Sequence, residues 1–285
     1  MQHLISYIST QIDEKIFSFR SVSGGDISSA YLLETKTQKF FLKVNSKPFA
    51  STMFHAEQKG LHAIEETQTI AVPHVHLVDS FEDKSFLLMD FVESKRPDAS
   101  DFQRLGTQLA MLHQCTQADF GFSGDNFIGS LPQSNTPNRN WPEFYWLERI
   151  FPQLKMALDN QLLRKNEISS EEKAIAVFRE IFGNVVPSIV HGDLWGGNYL
   201  IATNGTPYLI DPAVYFGHSM VDIAMSKLFG GFGQSFYEAY HEIIPKTQNY
   251  SRQIELYQLY YLLVHLNLFG SGYYSGVSSI LRKYF

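Results

Sequence analysis

Hydrophobic spacing divides the chain into a strand-rich first third and a helix-rich remainder. After one N-terminal helix, alternating apolar positions predict short strands at residues 17–22, 30–34 and 39–44. Gly24-Gly25-Asp26 breaks the first pair and Lys36-Thr37 the second. The period then lengthens over residues 50–66, where Met53, Phe54, Leu61 and Ile64 form one helical stripe and Glu57 stands a turn before Leu61. Two more strands follow at 74–81 and 85–92, joined by the charged turn Glu82-Asp83-Lys84. A meander with one inserted helix reads as a small α+β unit.

Past the polar stretch 93–100, helical spacing covers residues 102–114, 143–163, 171–182 and 220–229, and continues toward residue 285. Short apolar runs at 188–191, 199–202 and 207–210 interrupt it as strand candidates. Residues 124–140, rich in Asn, Gly and Pro, are expected to form the longest loop. The pattern predicts an α+β fold of two lobes. A nucleotide-binding lobe spans residues 1–92, with an antiparallel sheet and one main helix, and a larger, mainly helical catalytic and substrate-binding lobe spans 93–285.

Composition narrows the partners more than the fold. A chain of 285 residues with 44% hydrophobic and 18% charged residues can bury a substantial core. Its formal charge of -6 argues against a general nucleic-acid binder, which needs a basic face. Cys115 is the single cysteine, so no intrachain disulfide forms, which fits a reducing cytoplasm. Beside Leu105, Leu109 and Leu112 it is expected on the buried face of a helix. The N-terminus lacks a secretory pattern, and the most apolar stretch, 259–269, contains His265 and Asn267 and is shorter than the roughly 20 residues a membrane span needs. A cytoplasmic protein with no membrane partner is the expectation.

The chemistry concentrates in His191-Gly192-Asp193-Leu194-Trp195-Gly196-Gly197-Asn198, followed after a strand-like run by Asp211-Pro212. A base, an amide and a second carboxylate in this order suit phosphoryl transfer. Asp193 orients or deprotonates an acceptor hydroxyl, while Asn198 and Asp211 offer hard oxygens to a magnesium ion held against the phosphates of ATP. Singly, each of these residues would be read as a turn or helix cap. Together with Lys43 at the end of the third strand and Glu57 on the following helix, a pair suited to the ATP phosphates, they outweigh that reading.

The remaining nucleotide contacts are less specific. Gly24, Gly25, Asp26 and Ser28 stand in the first hairpin, where two glycines often make only a turn, but where backbone N–H groups and hydroxyls can approach phosphate. No Walker-type phosphate loop is present. Met89, Asp90 and Phe91 lie in the connector between the lobes, where backbone groups could meet adenine; a plain strand end is the competing account. Trp195, next to the base, can pack on the C–H face of a sugar, with burial as a core residue the alternative.

Motifs spread over almost the whole chain make the resemblance specific: Gly24-Gly25-Asp26-Ile27, Phe40-Phe41-Leu42-Lys43, Leu105-Gly106 with Leu112-His113, Asp125-Asn126-Phe127-Ile128-Gly129, Pro132-Gln133, the loop from His191 to Asn198, and Asp211-Pro212-Ala213-Val214-Tyr215-Phe216-Gly217-His218. Leu228-Phe229-Gly230-Gly231-Phe232 and His265-Leu266-Asn267-Leu268-Phe269-Gly270 complete the set. On these residues the chain resembles the fructosamine kinases, ketosamine kinases related to aminoglycoside and choline phosphotransferases. The resemblance implies a protein-kinase-like fold and ATP- and magnesium-dependent phosphorylation of a sugar hydroxyl, typically O3, of free or protein-bound ketosamines, in the service of deglycation. It makes Asp193 the base, Asn198 and Asp211 the metal ligands, and Lys43 and Glu57 the ATP-phosphate residues. Trp195 then lines the sugar site and His265 lies on the substrate side. Ser28 replaces the family's common Asn, and no cysteine lies in the nucleotide-binding region, so a monomer or a homodimer without a disulfide is expected.

Two other enzyme readings and one silent reading compete. A protein kinase is disfavoured because only ten residues separate Asp211 from Asp222, too few for a long activation segment, and Asp222 is expected instead to anchor the catalytic loop. A kinase of an aminoglycoside or a choline-like alcohol is the closer rival. A catalytically silent nucleotide-binding pseudokinase would have lost one of the functional residues, and every candidate is retained.

Overall fold

The first lobe is organised by the two faces of one sheet. The computed structural model describes residues 1–22 and 27–285. Helix α1 (Gln2–Gln11) precedes strands β1 (Ser18–Val22), β2 (Ser29–Glu34) and β3 (Lys39–Asn45), then α2 (Ala50–Glu66), β4 (Val75–Phe81) and β5 (Lys84–Asp90). The strands form a five-stranded antiparallel sheet in the order β1-β2-β3-β5-β4. Because side chains alternate along a strand, Phe40, Leu42, Val44, Phe86 and Leu88 pack on Leu4, Ile5 and Ile8 of α1. Leu87 and Met89 face the other way and pack with Met53 and Phe54 of α2.

The second lobe begins with α3 (Ala99–His113), which starts three residues before the apolar spacing indicates. The cause is local. Asp98 accepts from the backbone N–H groups of Ser100 (2.8 Å) and Asp101 (3.0 Å), while the Asp101 carboxylate accepts from the Asp98 N–H (3.0 Å), a reciprocal cap. The helix ends at His113, so Cys115 lies just beyond it and is half-exposed, not buried on its face as expected.

The stretch expected as a long loop contains the hairpin β6 (Asn126–Ile128) and β7 (Leu131–Gln133). Strands of three residues carry too few alternations to register as a pattern. Helix α4 (Trp141–Phe144) runs through a π-helical turn (Tyr145–Ile150) into α5 (Phe151–Asp159), and α6 (Glu171–Phe182) follows. Strands β8 (Ser188–Val190), β9 (Tyr199–Ile201), β10 (Pro207–Leu209) and β11 (Tyr215–Gly217) pair as β8 with β11 and β9 with β10. Helices α7 (Met220–Phe229), α8 (Gln234–Ile243), α9 (Tyr250–Phe269) and α10 (Tyr274–Tyr284) complete the chain.

Helix α9 is the spine of this lobe, with ten buried residues, among them Tyr257, whose ring stacks on Phe182 of α6 at 4.6 Å. Among the described residues no helix is long and apolar enough to cross a membrane.

Helices α3 and α8 cross at a glycine. A methyl group on Gly106 would lie 2.2 Å from the Phe236 carbonyl oxygen, an impossible separation. Alanine in an ordinary helix interior is favoured over glycine by about 1 kcal/mol. Here the overlap dominates, so Gly106→Ala is expected to destabilise the protein by about 3 kcal/mol, read from denaturant unfolding.

Candidate active site

Lys43 lies on the face of the sheet opposite α1, because it alternates with Leu42 and Val44. Its ammonium donates to Glu57 of α2 at 2.7 Å and also bonds Asp211 from the other lobe. Lys43 is 8% exposed. Burial pulls its proton affinity down, but Asp211 and Glu57 more than offset this, and the ammonium is held charged. An ammonium has three donors, and these two carboxylates leave one for a further anion.

Asp211 follows β10 with φ of 55°, in the left-handed region that non-glycine residues rarely occupy. This turn brings its carboxylate under the sheet. Asp193 faces it from the loop after β8, and the Asp193 carboxyl is pushed up to about 7, first by burial and then by the Asp211 carboxylate, while the Asn198 amide pulls it down. Asn198 donates through Nδ2 to the Asp193 backbone carbonyl (2.8 Å) and to its carboxylate (3.2 Å). With both amide protons used on residue 193, Oδ1 is the atom left to meet a cation.

The loop carrying Asp193 is held from beneath by buried groups. Asp222, at the start of α7 and fully buried, accepts from the backbone N–H groups of His191 (2.7 Å) and Gly192 (2.9 Å). It also meets His113 Nε2 at 3.0 Å, and the other His113 ring nitrogen meets the Tyr240 hydroxyl at 2.8 Å. Tyr261 of α9 donates to the Gly192 carbonyl (3.0 Å). His191 accepts the Asp193 N–H at Nδ1 (3.2 Å), so Nε2 carries the proton and donates to the Ile210 carbonyl (2.9 Å). Burial keeps this imidazole neutral. The expected loop-anchoring role of Asp222 therefore matches the observed hydrogen bonds.

The other sequence candidates divide. Gly24, Gly25 and Asp26 lie outside the described residues. Ser28 is drawn to the cleft side by Asn45, whose Nδ2 donates to the Ile27 carbonyl and the Ser28 hydroxyl, both at 3.2 Å. Asn45 was not singled out from sequence, although it stands two residues beyond Lys43 and so shares its face.

Met89 is buried on that same face. Asp90 is not: it pairs with Phe40 on the α1 face, its carboxylate meets His76 Nε2 at 2.7 Å, and its N–H donates to the His74 carbonyl at 2.9 Å. The side chain and the N–H of Asp90 are thus both engaged within the sheet. The Phe91 N–H likewise donates to the Lys39 carbonyl (3.3 Å). Trp195 is 43% exposed beside the catalytic loop. His265 lies one helical turn beyond Tyr261 and packs against Phe229.

Among the described residues no three His, Cys, Asp or Glu side chains cluster as a self-sufficient metal site. One carboxylate, one amide oxygen and a neighbouring carboxylate fit a hard cation shared with phosphate oxygens.

Known proteins resemble this chain along its whole length. Residues 1–285 match the profile of the family described as Fructosamine kinase. The chain is 39% identical over 279 residues to the chloroplastic protein-ribulosamine 3-kinase of Arabidopsis thaliana, covering 95% of this chain and 83% of that one. A crystal structure from Thermobifida fusca, whose name places it among the fructosamine-3-kinases, superposes with a TM-score of 0.88 at 30% identity, covering 99% and 98% of the two chains. The aminoglycoside phosphotransferase APH(4)-Ia shares the fold alone, with a TM-score of 0.64 at 14% identity over 99% and 98%.

Replacing Asp222 by alanine strips acceptors from two buried backbone N–H groups and from His113. The expected cost is about 4 kcal/mol, measured by denaturant unfolding, and faster amide exchange at residues 191 and 192 marks the loop as its origin.

Proposed function

The chain belongs to the fructosamine kinase family, and from that premise we propose that it transfers the γ-phosphoryl group of ATP to a sugar hydroxyl, O3, of a ketosamine. The observation that carries the proposal is the meeting of Lys43, Glu57 and Asp211 across the lobes, with Asp193 and Asn198 facing Asp211. The relative named for protein ribulosamines supports the acceptor class.

In this reading the acceptor oxygen attacks the γ-phosphorus, the bond to the β-phosphate oxygen breaks, and the hydroxyl proton passes to Asp193. ADP and the phosphorylated ketosamine result. Burial and the opposing carboxylate raise the proton affinity of Asp193, which suits a base working near neutral pH. Lys43, kept charged by its two carboxylates, aims its remaining donor at phosphate oxygens. Asp211 and Asn198 Oδ1 would hold a magnesium ion, which would supply positive charge against the phosphates of the nucleotide. Ser28, held by Asn45, and the Met89–Phe91 connector would border the nucleotide, and Trp195 would cover one face of the sugar.

Phosphate on O3 is a better leaving group than hydroxide, so it is eliminated from C3 as inorganic phosphate, and water then hydrolyses the resulting imine at C1 to free the amine and leave a dicarbonyl sugar fragment. A single unpaired cysteine suits action in a reducing compartment, the cytoplasm.

Asp193→Ala is expected to lower kcat with a ribulosamine by at least about a thousandfold, while ATP affinity by calorimetry stays within about threefold. Unaltered turnover would remove Asp193 as the base. Product NMR locating the phosphate elsewhere than O3 would redirect the regiochemistry.

A further inference from the structure

On the side of α2 turned away from Glu57 the protein leaves a cavity of about 540 Å³, within the size range of small-molecule sites. At about 3.6 residues per turn, Lys59, Ala63 and Glu66 follow one another along that side of the helix. The facing wall is the pairing of β8 with β11, where Ile189 and Phe216 stand opposite each other. Ala63 carries only a methyl group, so α2 does not fill the space in front of these two side chains.

The cavity has an apolar floor and a polar rim. Ile189 belongs to the core of the second lobe, and Ala63, Cys115, Phe122 and Phe216 are partly buried against it. Covering such a floor with an apolar body releases the water held there. On the rim, Glu66 is the single acidic side chain among the described lining residues, and its carboxylate meets His62 Nε2 at 3.2 Å. Lys59 is exposed, and among the described residues its ammonium has no carboxylate partner. The hydroxyls of Thr116 and Ser123 stand on the same rim. One unmatched cation beside an apolar floor suits a ligand with one negative charge and an apolar body.

This space is distinct from the nucleotide cleft. Glu57 meets Lys43 on the other side of the helix, and Gly60 closes the gap between: a methyl group there would lie 3.2 Å from Val214 and 3.3 Å from Pro212. The floor is also fixed in advance by backbone hydrogen bonds. The Ile189 N–H donates to the Cys115 carbonyl (3.0 Å), and the Phe216 N–H to the Gly121 carbonyl (2.8 Å). A preformed wall spares a ligand the cost of ordering it.

We propose that the cavity between α2 and the β8–β11 pair is a second ligand site, for a small aromatic carboxylate. The carboxylate meets Lys59 at the rim, and the ring lies over Ile189, Phe216 and Phe122.

The test uses the purified full chain and three naphthalene compounds that differ in charge: 2-naphthoate, 2-naphthol and 2-naphthylmethylamine. NMR titration is expected to give 2-naphthoate a Kd of about 1 mM or tighter, unchanged by saturating ADP and magnesium. The alcohol and the amine are expected to bind at least about fivefold more weakly. Lys59→Gln is expected to weaken the acid about fivefold without altering the alcohol, and Lys59→Arg to keep the acid within about twofold of the wild type. Cys115 lines the cavity and is the single cysteine, so its alkylation, read as one mass increment, is expected to slow severalfold when 2-naphthoate saturates. Failure of the acid to bind, equal affinity for the three compounds, or wild-type affinity for the acid in Lys59→Gln would overturn the assignment. Displacement of the acid by ADP, or alkylation of Cys115 at its free rate under saturation, would place the acid elsewhere and overturn it equally.

Discussion

A buried ammonium cannot be left alone. Lys43 is removed from water by the sheet and α2 around it, and an unpaired charge there would cost several kcal/mol after all relaxation. Its two carboxylates come from distant parts of the chain, Glu57 from α2 and Asp211 from the turn after β10. Satisfying one cation therefore fixes the sheet, the helix and the second lobe relative to one another. Gly60 supports the same packing: a side chain there would press on Pro212 and Val214, directly after Asp211.

Two aspartates beneath this triad show how environment separates roles. Asp222 is buried among donors, two backbone N–H groups and a histidine, and its charge is fully used in holding the loop from His191 to Gly192. Asp193 has one side-chain amide as a partner and a second carboxylate opposite, so its charge is poorly satisfied and a proton is welcome. The first arrangement makes a fixed support. The second suits a group that takes up a proton.

The local signals that were strong in sequence concern long elements and residue order: the strand that carries Lys43, the helix that carries Glu57, and the spacing from His191 to Asn198 all have the structure their patterns indicate. What escaped depends on register or on polar contacts. Asp90 lies in the strand where it was expected, but its face is decided by pairing with Phe40, which only the assembled sheet defines. Cys115 lies past the end of α3, which stops two residues earlier, and is only partly buried against the core that holds Leu105, Leu109 and Leu112. Asn45 carries a period-two signal from Lys43, whereas Tyr261 is one of many apolar positions on α9, and nothing in its spacing marks the hydroxyl that reaches the catalytic loop.

The hairpin of β6 and β7 is the clearest case of structure that tertiary contacts create. Its strands are short, yet Asn126 Nδ2 donates to the Val214 carbonyl (2.7 Å) and Gln133 Nε2 to Asn126 Oδ1 (2.7 Å), and the Tyr260 hydroxyl donates to Gln133 Oε1 (2.5 Å). These buried amides replace the ladder that a longer hairpin would have had. They also bind the hairpin to the segment following Asp211. From there Phe127 stacks on Phe49 of the first lobe, with centroids 6.0 Å apart. The lobes are thus joined by charge at Lys43, by apolar contact at Phe127, and by Leu61, Ile64, Ile70 and Val72, which share the core of the second lobe, with the Leu209 N–H donating to the Ala71 carbonyl (2.9 Å). An incoming phosphate would meet only the first junction, at the donor that Lys43 keeps free, and it has no purchase on the others. The apolar and backbone junctions are therefore the ones that can keep the lobes in register while the nucleotide exchanges.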